Sequence, residues 1–230
     1  MKCYKGLITK EKIEVYNLKL NLYDKLDNFF NFLKDMKNYT FPIKKISYRF
    51  KQISSLNDLE VFIQERSAHV TQSTLYGYVK TRIGSRYAMM FEDKVFSESI
   101  NIAKWNIYMN ALSDCTLYTF SYLIDKKNLQ KNDAERIFTS IIEAERKNGL
   151  DDELFNKTKL DFQKRVLEIN WKNYYQDKPF YESGLALYKW SPISDELKIL
   201  DKEIVLNSIK LKWNLVKNEF EELTKKLKFN

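Results

Sequence analysis

The sequence predicts an all-α fold, an irregular bundle of about six helices. Five glycines and three prolines in 230 residues are too few for the turns of an all-β fold. Lysine, glutamate and leucine are abundant, which favours helix. Apolar residues also recur three and four positions apart along most of the chain. At 44% hydrophobic residues, the chain can bury a large core.

The bundle is predicted to form around a central apolar helix at about residues 97–124. Ser97 is its expected N-cap, with Glu98 in the first turn. From residue 99 to residue 124 only Lys104 and Asp114 are charged. A helix that is apolar nearly all round belongs in the interior.

A capping-box pattern predicts the helix that precedes the central helix. Ser55 with Asp58 opens this helix, which is expected to run to about Arg82. Gly77 weakens the pattern, and Gly84 is the expected end.

Two more helices are predicted between residues 132 and 171. Asn132 with Glu135 opens the first, which is expected to end at Gly149. Residues 151–152 open the second, which is expected to reach about Trp171.

A long C-terminal helix is predicted after an irregular, aromatic-rich segment at residues 173–191. Ser191 followed by Pro192 resembles an N-cap with proline at the first helical position. The helix is expected to run to about Leu227. Two apolar stripes run along it, out of phase near Val205, which indicates a bend there or two packing partners. The first stripe is Ile193, Leu197, Leu200 and Ile204, and the second starts at Ile209.

The pattern divides the chain into a basic N-terminal helix with a linker, residues 1–54, and a main helical domain, residues 55–230. Residues 1–51 hold 12 lysines and arginines against 5 acidic residues, whereas the whole chain carries a net charge of +8. A helix is expected at residues 11–38, and residues 43–53 fit a linker, a short strand or a helical turn. The basic face either binds nucleic acid or an anionic membrane surface, or is a solvated lysine-rich face.

The sequence indicates a cytoplasmic protein without a cofactor or a metal. Cys3 and Cys115 cannot form a disulfide framework, which favours a reducing compartment. The N-terminus shows no signal-peptide core, and no stretch approaches the length of a transmembrane helix. His69 is the single histidine, which excludes a Glu-x-x-His di-iron pattern, and two distant cysteines exclude a zinc knuckle.

Glu65, His69 and Ser73 form a weak catalytic candidate. They lie four residues apart on one face of a predicted helix, in the acid, imidazole and hydroxyl order of a hydrolase triad. Neighbouring side chains on one helix tilt the same way, which places Ser73 poorly for His69. Mid-helix N–H groups are already bonded and cannot form an oxyanion hole. The alternative is a half-buried histidine held by Glu65.

A tyrosine- and arginine-rich segment is the stronger candidate site, for a small anion or a phosphorylated ligand. Like charges four residues apart, such as Arg82 and Arg86, favour an anion between them. In the alternative, these arginines neutralise Asp114 of the central helix, because a buried charge must be paired. Asn101 and Asn110, with Asn106, either complete that network or line a pocket. The candidate anion-binding residues are Arg66, Tyr76, Lys80, Arg82 and Arg86, with Tyr78 and Tyr87 nearby.

Two long segments resemble an uncharacterised family of alphaproteobacterial proteins whose members often carry the label "esterase". The first is QERSAHVTQSTLYGYVKTRIGSRYAMMFEDKVFSESINIAKWNIYMNALSD, and the second is KWSPISDELKILDKEIVLNSIKLKW. The resemblance covers about residues 55–215. It implies a cytoplasmic bacterial protein and supplies no catalytic residues.

Three functions are therefore open at the level of sequence. The first is a non-enzymatic binding or assembly protein, which takes a protein partner through the tyrosine–arginine patch or the long C-terminal helix. The second is a hydrolase, as the family label implies. The third is a binder of RNA or anionic surfaces through the basic N-terminus.

Overall fold

The computed structural model describes residues 52–127, 129 and 132–227. Within them the chain is helical and contains no strand, so the all-α prediction is confirmed. Six helices have ten residues or more. In chain order the elements are α1 (Leu56–Ile83), a 3-10 turn (Gly84–Arg86), α2 (Tyr87–Met90), α3 (Lys94–Lys127), α4 (Asn132–Arg146), α5 (Asp152–Glu168), a 3-10 turn (Tyr174–Gln176), α6 (Tyr181–Trp190) and α7 (Asp195–Thr224).

The N-terminal predictions fall almost entirely outside the described residues. The predicted helix at residues 11–38 and the basic residues 1–51 belong there. At the end of the predicted linker, Ile53 is fully buried and donates its backbone N–H to the carbonyl of Leu223 at 3.2 Å.

α1 begins and ends where the sequence predicts. The Ser55 hydroxyl accepts the backbone N–H of Asp58, and the Asp58 carboxylate accepts the backbone N–H of Ser55, which completes a capping box. Gly84 ends the helix with φ of 67°, a left-handed value that favours glycine.

α3 is the central helix, as predicted, and it packs against α1, α4, α5 and α6. It begins at Lys94, so the expectation of Ser97 as its N-cap is wrong. The Asp93 carboxylate accepts the backbone N–H of Phe96 at 2.9 Å and occupies the capping position instead. The Ser97 hydroxyl donates to the carbonyl of Phe91 from within the first turn.

α4 and α5 form close to their predicted positions. α4 ends at Arg146, three residues before Gly149, which has φ of 100°. Asp151 is the N-cap of α5, and its carboxylate accepts the backbone N–H groups of Glu153 and Leu154. α5 ends at Glu168, ahead of Trp171.

The segment predicted to be irregular contains α6, so that prediction is wrong for residues 181–190. Gly184 lies inside this helix. A Cβ atom at this position would lie 3.3 Å from Cδ2 of Leu206, so glycine lets α6 approach α7 closely. The Ser191 hydroxyl donates to the carbonyl of Leu187 and closes α6 rather than opening the next helix.

α7 begins after Ser194, not Ser191, and ends at Thr224. It is one unbroken helix that packs against both α6 and α1, which agrees with the alternative of two packing partners. Its buried side consists of Val205 and four residues of the second predicted stripe: Ile209, Trp213, Val216 and Phe220. The first stripe is not buried, since Leu197, Leu200 and Ile204 are exposed.

Among the helices that the structure describes, none is long and apolar enough to cross a membrane.

Candidate functional site

A polar cleft of about 690 Å³ lies between α3, α5 and α6. Its wall carries four lysines (Lys157, Lys164, Lys178 and Lys189) and three acidic residues (Asp161, Glu168 and Glu182). Arg165 of α5 also lines the cleft, and its side chain is 21% exposed.

The Arg165 guanidinium is held by partners from two segments, α3 and the 3-10 turn at Tyr174–Gln176. Its Nη1 donates to the Ser113 hydroxyl at 2.7 Å. Its Nη2 donates to Oδ1 of Asp114 at 2.6 Å and to the Tyr174 hydroxyl at 2.7 Å. The Tyr174 hydroxyl in turn donates to the carbonyl of Pro179. These contacts fix the guanidinium plane and use both N–H groups of Nη2, so no two-pronged edge of the guanidinium is left for a second carboxylate or a phosphate.

Asp114 is fully buried beneath Arg165 and connects the cleft to α6 and α7. Its Oδ2 accepts the backbone N–H of Ser183 at 2.7 Å. The Ser183 hydroxyl accepts the indole N–H of Trp213 at 3.0 Å. Burial raises the pKa of the Asp114 carboxyl, against the lowering effect of the Arg165 charge. Asp114 is therefore the acidic residue of a structural network.

The expectation that Arg82 or Arg86 neutralises Asp114 is wrong, because Arg165 does so. Sequence reasoning missed Arg165. The apolar residues of α5 recur at Phe155, Phe162 and Ile169, and Arg165 lies on this same inward-facing side. A charged residue in the apolar register of a helix was the signal that could have identified it.

Two of the three arginines of the tyrosine–arginine patch bind separate carboxylates of α7. Arg66 donates from Nε and Nη2 to the two carboxylate oxygens of Glu219, at 2.7 and 2.6 Å. Arg82 forms an ion pair with the buried carboxylate of Asp201, which also accepts the Tyr78 hydroxyl at 2.9 Å. These contacts connect α1 to α7, so both arginines are structural, through carboxylates that the sequence analysis did not name.

The other members of the patch lie apart from these pairs. Lys80 and Arg86 are exposed, and Tyr76 is half-buried, with its ring 6.3 Å from that of Phe91. Burial raises the pKa of Tyr87 to about 12, so its phenol stays protonated.

Two of the three asparagines of α3 match one of the two predicted alternatives, the lining of a pocket. Asn106 and Asn110 line the polar cleft, whereas Asn101 does not. The Asn110 amide donates to the carbonyl of Asn106, and the Asn106 amide donates to the carbonyl of Ile102.

Glu65, His69 and Ser73 lie in α1 but are not joined by hydrogen bonds in the structure as described. The Ser73 hydroxyl donates to the carbonyl of Val70 at 3.3 Å. His69 is exposed, and partial desolvation together with the Lys212 charge lowers the pKa of its imidazole. The Glu65 carboxylate is 3.8 Å from Arg66, and burial raises its pKa. No contact among these residues favours the hydrolase alternative.

A second surface runs along the outer side of α7. Five large aliphatic side chains project there, and between 38% and 76% of each is exposed. We call them the α7 outer stripe: Leu197, Leu200, Ile204, Leu211 and Leu215. At 3.6 residues per turn they fall within a sector about 60° wide and cover about 27 Å of helix. The other residues of this face between positions 197 and 218 are Asn207, Ser208 and Asn218, all uncharged.

The two surfaces have different chemistry. The cleft offers lysines on its wall, which suit an anion, and the α7 outer stripe offers apolar area, which suits another protein. Within the described residues, no group of histidine, cysteine and acidic side chains could hold a metal ion. The chain matches no family model, no curated protein and no solved structure.

Proposed function

We propose that the protein is a non-enzymatic assembly protein, which binds a protein partner through the α7 outer stripe. The observation that best supports this proposal is that α7 has two apolar faces, and the protein's own core covers only one of them. The five residues of the stripe continue along five turns of the same helix, without an intervening charge.

Exposed aliphatic residues scattered singly are ordinary on a soluble protein. Leu160 and Leu167 of α5 are examples, and they are exposed to the same degree as the stripe. A contiguous apolar face is different, because its contact with water costs free energy that association removes. The arrangement of the residues, rather than their exposure, therefore distinguishes α7.

The chemistry of the stripe specifies its partner. Aliphatic residues three, four and seven positions apart are the spacing at which one helix packs against another. The partner therefore presents an amphipathic helix with its own apolar face. Uncharged Asn207 and Ser208 at the middle of the stripe tolerate contact with that face, since their side chains are short.

Site-specific photo-crosslinking in cells tests this function. A photoreactive phenylalanine analogue replaces Leu211 in the stripe, and the matched control carries the same analogue at Leu160 of α5. The two leucines are 66% and 58% exposed, so they meet solvent and bystander proteins to a similar degree. We expect discrete protein adducts at position 211 and none at position 160. Equal labelling at both positions, or none at position 211, contradicts the proposal.

The Arg165 cleft favours a second function, the binding of a small carboxylate or phosphate compound. The four lysines on the wall of the cleft outnumber its three acidic residues, and Arg165 itself is paired with Asp114. Titration with inorganic phosphate and with citrate, followed by calorimetry, tests this function. Lys189→Gln is the variant to compare, since it removes an exposed cleft lysine and leaves the Arg165 network intact. Binding that the variant weakens supports the function, and the absence of binding to either anion contradicts it.

A cytoplasmic location remains part of the proposal. Cys115 is a free thiol in the core, and burial raises its pKa to about 12, so it stays a protonated thiol. A protein of a reducing compartment can keep such a residue without a disulfide partner.

A further inference from the structure

We infer that the partner of the α7 outer stripe is a second copy of this chain, whose α7 lies antiparallel across a two-fold axis. This inference rests on the proposed function, because it names the occupant of the same surface. The evidence for the inference is a series of charged residues beside the stripe.

Four charged residues recur every seven positions along one flank of the stripe. We call them the flank series, and in chain order they are Glu196, Glu203, Lys210 and Lys217. Their order is acid, acid, base, base. At 3.6 residues per turn they lie on one side of the helix, about a quarter turn from the stripe.

A two-fold axis perpendicular to α7 brings this flank against the same flank of the other copy, in reverse order. Glu203 of one copy then opposes Lys210 of the other, and Glu196 opposes Lys217. Parallel pairing aligns the copies in the same order and does not create these opposed pairs. The charges of the flank series are therefore complementary to those of the same series running in the opposite direction.

The apolar residues give the same centre of symmetry. Leu197 opposes Leu215, and Leu200 opposes Leu211, when the axis passes near residue 206. The two charge pairs of the flank series require an axis within one residue of that point. Two independent sets of side chains thus specify one antiparallel register.

Three of the four charges of the flank series are available for such pairing. Glu196, Glu203 and Lys210 are exposed, and none of the three forms an ion pair within the described part of the chain. Lys217 is half-buried, and its ammonium group lies 5.8 Å from the centre of the Tyr118 ring. Several other charged residues of α7 are already paired. Asp201 and Glu219 pair with arginines of α1, and Lys198 lies beside Asp195 with its ammonium group on the carbonyl of Lys189.

Variants that reverse these charges test the inference. The measured quantity is the dissociation constant of the dimer, obtained by sedimentation velocity on the purified full chain. The variants are Glu203→Lys, Lys210→Glu and the double variant that carries both changes. In the antiparallel pair each single change places two like charges opposite each other, and the double change restores opposite charges. We expect each single variant to weaken the dimer at least fivefold at low salt, and the double variant to recover the wild-type dissociation constant. The matched control is Lys159→Glu on α5, which keeps the wild-type dimer.

Each outcome decides the inference. Weakening by both single variants with recovery in the double supports the antiparallel pair. A dimer that the single variants leave unchanged overturns this arrangement. A wild-type chain that stays monomeric throughout the concentration range overturns self-association. If photo-crosslinks at position 211 then contain a different protein, the proposed assembly function stands without this inference.

Discussion

The guanidinium of Arg82, in the last turn of α1, forms an ion pair with the carboxylate of Asp201 in α7. The Asp201 side chain is 2% exposed, whereas that of Arg82 is 33% exposed. Tyr78, one turn before Arg82, donates its hydroxyl to the same carboxylate. This pair joins the last turn of α1 to the N-terminal half of α7.

Arg82→Met should therefore destabilise the protein, because it leaves a buried carboxylate with one neutral partner. We expect the free energy of unfolding to fall by about 2 kcal/mol, less than for a fully buried pair since Arg82 is partly solvated. Urea unfolding followed by circular dichroism measures this. Arg86→Met is the matched control, because Arg86 is exposed, and it should change stability by less than about 0.5 kcal/mol. Equal effects of the two variants would contradict a structural role for Arg82.

Removing the partner of Asp114 should cost more. Arg165→Met leaves a fully buried carboxylate held by the backbone N–H of Ser183, and we expect a loss of about 3 to 5 kcal/mol. In the double variant Arg165→Met/Asp114→Asn no buried charge is left unpaired. Its stability should therefore exceed that of Arg165→Met, as measured by the same urea unfolding. If the losses of unfolding free energy caused by the two changes simply add in the double variant, the two residues do not act as a pair.

Lys104 should make stability depend on pH. Burial lowers the pKa of its ammonium group from 10.5 to about 8, against the raising effect of Glu145. Between these values the unfolded chain binds the proton and the folded chain does not, so folding becomes more favourable as the pH rises. The unfolding free energy of the wild type should rise by about 2 kcal/mol between pH 7 and pH 10, relative to Lys104→Met. Tyrosine ionisation affects the wild type and Lys104→Met alike, so it cancels when the two are compared. A difference in unfolding free energy that stays constant between pH 7 and pH 10 would contradict the lowered pKa of Lys104.

The sequence predicts the fold where local chemistry decides it. The capping box at Ser55 and the left-handed position at Gly84 need neighbours only a few residues away, and both are observed. The apolar stretch of α3 likewise identifies a central helix whatever packs around it. These signals are complete within one helix.

The sequence misleads where two helices decide the outcome together. Residues 181–190 were predicted to be irregular, but they form α6, where Gly184 leaves room for Leu206 of α7. The two apolar stripes of α7 look equivalent in the sequence, and the contacts with α1 and α6 select the second for burial. The partner of Asp114 was also missed, because Arg165 follows it by 51 residues and no local spacing relates them.

The sedimentation-equilibrium mass of the purified full chain tests the central claim most directly. The wild-type mass should rise with protein concentration from 27.6 kDa for one chain towards that of two chains. Ile204→Glu places a charge at the middle of the α7 outer stripe, at a position that is 67% exposed, so it should stay folded and remain at the mass of one chain. A wild-type mass of one chain at every concentration, or a dimer that Ile204→Glu leaves intact, would contradict the account.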